Sequence, residues 1–184
     1  MSYAEREQAR YEISTLNIED MRHFSLGILL VSMLVIGCTS IDCPVQNRVE
    51  TIYALKKTDG SIDTLGVDTM WVWTHNYEGK DTLLINRLCG PKAMSFELPI
   101  SHTQPEDSIF TLLKDTLSHT WKDTICIKKE NYPHFESVDC QAAYFHKITA
   151  VSSTQHIIES IHLNNPDVNY DTNENIHLYL KARR

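Results

Sequence analysis

Glycine is scarce in this chain, six among 184 residues, and only Gly60, Gly66, Gly79 and Gly90 follow the apolar N-terminal stretch. Loops that cradle phosphates need several closely spaced glycines, so a nucleotide-binding fold is not expected. Net positive charge is also missing: 17 Lys and Arg face 24 Asp and Glu, a formal balance of −7. A general affinity for nucleic acid is therefore not expected. Neither an H-E-x-x-H nor a G-x-S-x-G segment occurs, which removes two common hydrolase routes, and the absence of C-x-x-C spacing speaks against a zinc site. There are no long blocks of like charge, no repeat at solenoid spacing and no long linker. The longest uncharged apolar run, residues 24–37, falls short of the roughly 20 residues that a membrane-spanning helix requires.

That short run does suit the core of an export signal, with Arg22 and His23 before it. It ends in Val35-Ile36-Gly37-Cys38, which resembles the lipobox of bacterial lipoproteins. The resemblance implies cleavage after Gly37 and lipidation of the Cys38 sulfur. Residues 1–20 carry Glu5, Glu7, Glu12, Glu19 and Asp20, an acidic preface foreign to signal peptides. We expect translation to begin at Met21, with 1–20 a misassigned extension, 21–37 the signal peptide, 38–47 a lipidated tether and 48–184 the folded domain. Thr39 stands where an inner-membrane retention aspartate would stand, which favours the outer membrane. Only Asp42 follows among acidic residues near the cysteine, which leans towards the periplasmic face rather than the cell surface.

Apart from Cys38, the chain has Cys43, Cys89, Cys126 and Cys140. An even count in an exported domain points to disulfides, and four cysteines allow three pairings. Cys43 precedes Pro44 and Cys140 follows a loop-like stretch, so both fall at element ends; the favoured bridge is Cys43–Cys140. Cys126 lies within a strand pattern and Cys89 beside Gly90-Pro91, which leaves them to pair or stay free.

Residues 48–55, 68–76, 82–88, 107–113, 119–128, 142–151 and 175–181 are rich in Val, Ile, Thr and aromatics and are bounded by turn residues, the signature of strands. In the last, Ile176, Leu178 and Leu180 alternate with His177, Tyr179 and Lys181. Tyr77-Glu78-Gly79-Lys80 reads as a hairpin turn. Residues 94–100 suit a further short strand, and 154–163 suit a strand or a helix face. Seven or eight short strands predict an all-β domain, a small antiparallel β-sandwich with an immunoglobulin-like arrangement as one form of it.

A triplet of Asp, Thr or Ser, and an apolar residue recurs at Asp63-Thr64-Leu65, Asp68-Thr69-Met70, Asp81-Thr82-Leu83, Asp107-Ser108-Ile109, Asp115-Thr116-Leu117 and Asp123-Thr124-Ile125. Ordinary composition would give roughly one such triplet or fewer. One cause is structural: Asp closes a turn, and Thr with an aliphatic residue opens a strand. The triplet also resembles the O-glycosylation sequon of Bacteroidota periplasmic proteins, which implies glycans on Thr64, Thr69, Thr82, Ser108, Thr116 or Thr124. Calcium binding by these aspartates is not favoured, because no oxygen-rich loop groups them.

Other candidates read as structural. His156 and Glu159 would share a face on a helix, a spacing that metal sites use, but on the preferred strand they point apart. His134, Glu136 and Asp139 form a polar cluster in a stretch that reads as loop. Trp71 and Trp73 share one strand face and Trp121 lies on another strand; exposed they could stack on sugars, whereas the favoured reading places them in the core. No catalytic residue, metal or cofactor is expected.

Four segments carry a wider resemblance: Cys38 to Asn47 (CTSIDCPVQN), Leu98 to Asp107 (LPISHTQPED), Asn131 to Gln141 (NYPHFESVDCQ) and Asn164 to Asp171 (NNPDVNYD). Together they resemble a small uncharacterised lipoprotein family of Bacteroidota, over essentially the whole stretch after Cys38. The family pattern includes Cys43 and Cys140 and omits Cys89 and Cys126. It implies the address and no activity. The functional expectation is a non-enzymatic, acyl-anchored interaction module that docks onto an outer-membrane protein, with a glycan-binding lipoprotein using Trp71 and Trp73 as the alternative and an envelope hydrolase third.

Overall fold

In the computed structural model the described residues are Cys43 and 48–182, and they contain strands but no helix. The expected extension 1–20, signal peptide 21–37, lipidation site Cys38 and tether 38–47 apart from Cys43 lie outside them. The compact unit that starts at Cys43 holds the sandwich.

Ten strands follow in chain order: β1 Glu50–Lys56, β2 Gly66–His75, β3 Asp81–Gly90, β4 Ser95–Pro99, β5 Glu106–Lys114, β6 Thr120–His134, β7 Ala143–Ser153, β8 Ile158–Leu163, β9 Asp167–Val168 and β10 Ile176–Leu180. They build a four-stranded sheet, β4-β1-β10-β8, and a six-stranded sheet, β3-β2-β5-β6-β7-β9. The expected strands are all present, and the ambiguous 154–163 segment contains β8. The count rises to ten with the two-residue β9, which has too few residues to show a period. β6 continues to His134 through an irregularity at Lys128/Lys129, so His134 ends a strand rather than sitting in a loop. All pairings are antiparallel except β1 with β10, which run parallel and set Tyr53 beside Ile176 and Leu55 beside Leu178.

The core follows from period-two alternation on both sheets. Tyr53, Leu55, Leu98 and Leu178 from the smaller sheet meet Val72, Ile125, Ile127 and Ile148 from the larger, all at 2 % exposure or less. Tyr53 and Phe96 stack with ring centroids 4.9 Å apart. Three turns share one backbone pattern. Lys57 to Ser61, Asn76 to Lys80 and Asp115 to His119 each close with an N–H of the first residue donating to the carbonyl of the fifth. The fourth position of each lies in the left-handed region: Gly60 at φ 82°, Gly79 at 74° and Ser118 at 71°.

Candidate interaction surface

On β2, Met70 and Val72 are buried and face the smaller sheet, so Trp71 and Trp73, alternating with them, face outward. This corrects the expectation that both tryptophans belong to the core. Each is half-buried rather than open. Directly across the ladder, Trp71 faces Leu112 and Trp73 faces Phe110, while Leu83 of β3 stands beside Trp73 on the other side. Trp73 and Phe110 stack at 5.8 Å, and His75 lies 4.5 Å from Phe110. Thr124 and Lys122 of β6 extend these two rows. The outer face of the six-stranded sheet thus holds an aromatic and aliphatic patch with a cationic margin. Trp121 is different: it packs against the core cluster.

Behind the loop joining β4 and β5 lies a polar network. The Lys129 ammonium, with no exposed side-chain surface, is 2.9 Å from the Asp107 carboxylate and donates to the Gln104 carbonyl at 2.7 Å. That carbonyl also accepts from Asn131 Nδ2, and the Asn131 Oδ1 lies 2.7 Å from His146 Nδ1. Burial, followed by the nearby Lys129 charge, pushes the His146 pKa down from 6.5 to about 4, so its ring is neutral at pH 7 and donates through Nδ1. Two clefts border this loop, of about 430 Å³ beside Thr74 and Ser108 and about 500 Å³ beside Arg48, His102 and Tyr144.

Cys43 and Cys140 are joined in a disulfide with a Cα–Cα distance of 5.5 Å, while Cys89 and Cys126 are free thiols. His156 and Glu159 do not meet: His156 precedes β8 and lies 3.2 Å from Asp123, while Glu159 is exposed within β8. His134 pairs with Glu136 at 3.0 Å, and Asp139 is exposed nearby without joining them in a ligand set. Among the described residues no group of three or more His, Cys, Asp or Glu is arranged to hold a metal ion.

The six triplets do not share one structural role. Asp81 and Asp107 stand at strand starts, as expected, but Asp68 and Asp123 lie within strands and Asp115 begins a turn after β5. Thr82, Ser108 and Thr116 are exposed, whereas Thr64, Thr69 and Thr124 are half-buried. Sequence reasoning took Asp123 only as part of a triplet and passed over Lys129, although both carry a signal of burial. Asp123, Ile125, Ile127 and Lys129 alternate on one face of β6, and the two polar residues share the burial of the isoleucines between them.

Residues 69–180 match the model of a family of unknown function (DUF6452). No curated protein and no solved structure matches the chain.

Proposed function

Since the chain belongs to that family of unknown function, we propose its role from surface and position: a lipoprotein of a Bacteroidota-type cell envelope, acylated at Cys38, whose sandwich is a non-catalytic module docking to a protein of the outer membrane from the periplasmic face. The observation that carries this reading is the outward patch of Trp71, Trp73, Leu83, Phe110 and Leu112 on the six-stranded sheet. Aromatic anchors that are half-desolvated by their own neighbours and ringed by polar groups are typical of protein interfaces. A sugar-stacking platform needs open ring faces, and Trp73 already shares its face with Phe110. Glycan binding is therefore second.

The test is capture from detergent-solubilised envelopes after mild cross-linking, comparing the wild type with a Trp73→Ala, Phe110→Ala variant. A partner protein is expected with the wild type and at least about tenfold less with the variant, the loss of one or two interface anchors. A wild type that comes down alone, or a partner retained equally by the variant, would sink the docking role.

We also propose that the accessible sequon hydroxyls Thr82, Ser108 and Thr116 carry O-glycans. The intact mass of protein from its native envelope reads both modifications together. It should correspond to a chain starting at acylated Cys38, plus identical glycan increments that disappear singly in Thr82→Val, Ser108→Ala and Thr116→Val. A mass without acyl groups rejects the anchor, and a mass explained by lipid alone rejects the glycans.

A further inference from the structure

The described domain begins at Cys43, and its bridge to Cys140 fastens that point to the loop between β6 and β7. This loop is unusually apolar for its exposure: Val138 is 97 % exposed and Phe135 61 %. Tyr132 and Tyr144, in the adjoining rungs of the β6–β7 ladder, are 41 % and 39 % exposed. Tyr170, 42 % exposed, stands edge-on to His134 and Phe145 at the same end of the sheet. Five of the eleven large hydrophobic side chains left exposed among the described residues therefore lie in this loop or on the two faces of the sheet end that carries it. Leu117, 70 % exposed, is at the other end of the 15-residue β6, a distance of roughly 50 Å at about 3.3 Å per residue.

We propose that residues 135–142, with Tyr132, Tyr144 and Tyr170, form a phospholipid-contacting surface that rests among the headgroups of the membrane holding Cys38. This deepens the lipoprotein reading and rests on it. Cys43 lies five positions after Cys38, a reach of at most roughly 18 Å, and the disulfide transmits that limit to the loop. The end of the domain with the exposed apolar groups is thus the end held at the bilayer. Tyrosines with an apolar ring and a polar tip suit the interfacial zone, and Val138 and Phe135 can enter the acyl boundary. Charge fits a zwitterionic surface. Arg48, exposed, with Glu50 as a nearby opposite charge but no close ion pair among the described residues, borders the cleft with Tyr144 and offers a forked donor to a lipid phosphate. Glu136 and Asp139, exposed in the loop, meet headgroup ammonium groups.

The experiment uses the full lipidated protein in zwitterionic vesicles of phosphatidylethanolamine and phosphatidylcholine, with a benzophenone amino acid at position 135, 138 or, as control, 117. Disulfide mapping and melting establish that each variant is folded. Irradiation should yield phospholipid adducts at 135 and 138, at least about tenfold above position 117. Acylated, vesicle-bound protein that gives no lipid adduct at 135 or 138, or as much at 117, overturns the membrane-contact surface while leaving the anchor in place. Protein without acyl mass that stays in solution overturns the anchor, and this surface with it.

Discussion

The Asp123 carboxylate organises the start of β8. Its Oδ1 accepts from the Thr154 hydroxyl and the His156 N–H at 2.7 Å each, and its Oδ2 accepts from the N–H groups of Ile157 and Ile158 at 2.7 and 2.8 Å. Burial pushes this carboxyl up, but donation from the backbone of His156 and Ile158, the Thr154 hydroxyl and the backbone of Ile157 outweighs it and holds the pKa below the usual 3.8. A depressed carboxylate contributes stability that is fully present above the ordinary Asp value and is lost as pH falls through the lower, folded value. Asp123→Asn keeps the shape but replaces one acceptor with an amide that confronts N–H donors. It should cost about 3 kcal/mol at pH 7, in line with lost charged hydrogen bonds and a stranded donor. It should also make the loss of stability below about pH 4 shallower than in the wild type. Denaturant melts across that range check both; equal acid slopes in the two proteins would show that another carboxylate governs the acid limb. The same side chain illustrates why the Asp-Thr series is not one motif: Asp115 secures its turn through His119, and Asp107 neutralises Lys129.

Among the elements, the three matched turns form an internal comparison. Two carry glycine where the backbone turns left-handed, and the β5–β6 turn carries Ser118 at φ 71°. A side chain there meets the steric cost that glycine escapes, about 1 kcal/mol for an L-residue. Ser118→Gly should therefore stabilise the domain by about 0.5–1 kcal/mol, and Gly79→Ser in the β2–β3 turn should destabilise it by a similar amount. Chemical denaturation of the two variants measures this; destabilisation by Ser118→Gly would mean that the serine makes contacts outweighing the strain. The Asn76 side chain, which the sequence reading of Tyr77-Glu78-Gly79-Lys80 did not use, helps fix the β2–β3 turn by accepting from the N–H groups of Glu78 and Lys80 at 2.9 Å.

For the whole molecule, the disulfide spans 97 residues and encloses all of β1 to β6. In the chain-entropy model a loop of that size is worth about 4–5 kcal/mol. Cys43→Ser should lower the unfolding free energy by about that much under oxidising conditions, read from denaturant melts, and the difference should vanish in strong reductant. A variant as stable as the oxidised wild type would mean that the bridge contributes little. The free thiols of Cys89 and Cys126 provide an internal control, since blocking them leaves the bridge untouched.

Strands were legible because one-sided burial writes a period of two into the residues, as Ile176, Leu178 and Leu180 do in β10. The same alternation marks Asp123 and Lys129 as inward, since the isoleucines between them cannot be buried without burying both. It could not say which face of β2 is the core. Met70 with Val72 and Trp71 with Trp73 are both apolar sets, and hydrophobicity alone does not choose between them. The partner sheet decides, by covering the first pair and leaving the second outward. Nor does local pattern specify that β1 lies parallel to β10, or that β9 exists at all: the first pairing joins residues 123 apart, Tyr53 with Ile176, and the second is a two-residue strand formed against β7, so the free energy of both comes from surfaces that exist only once the sheets have formed.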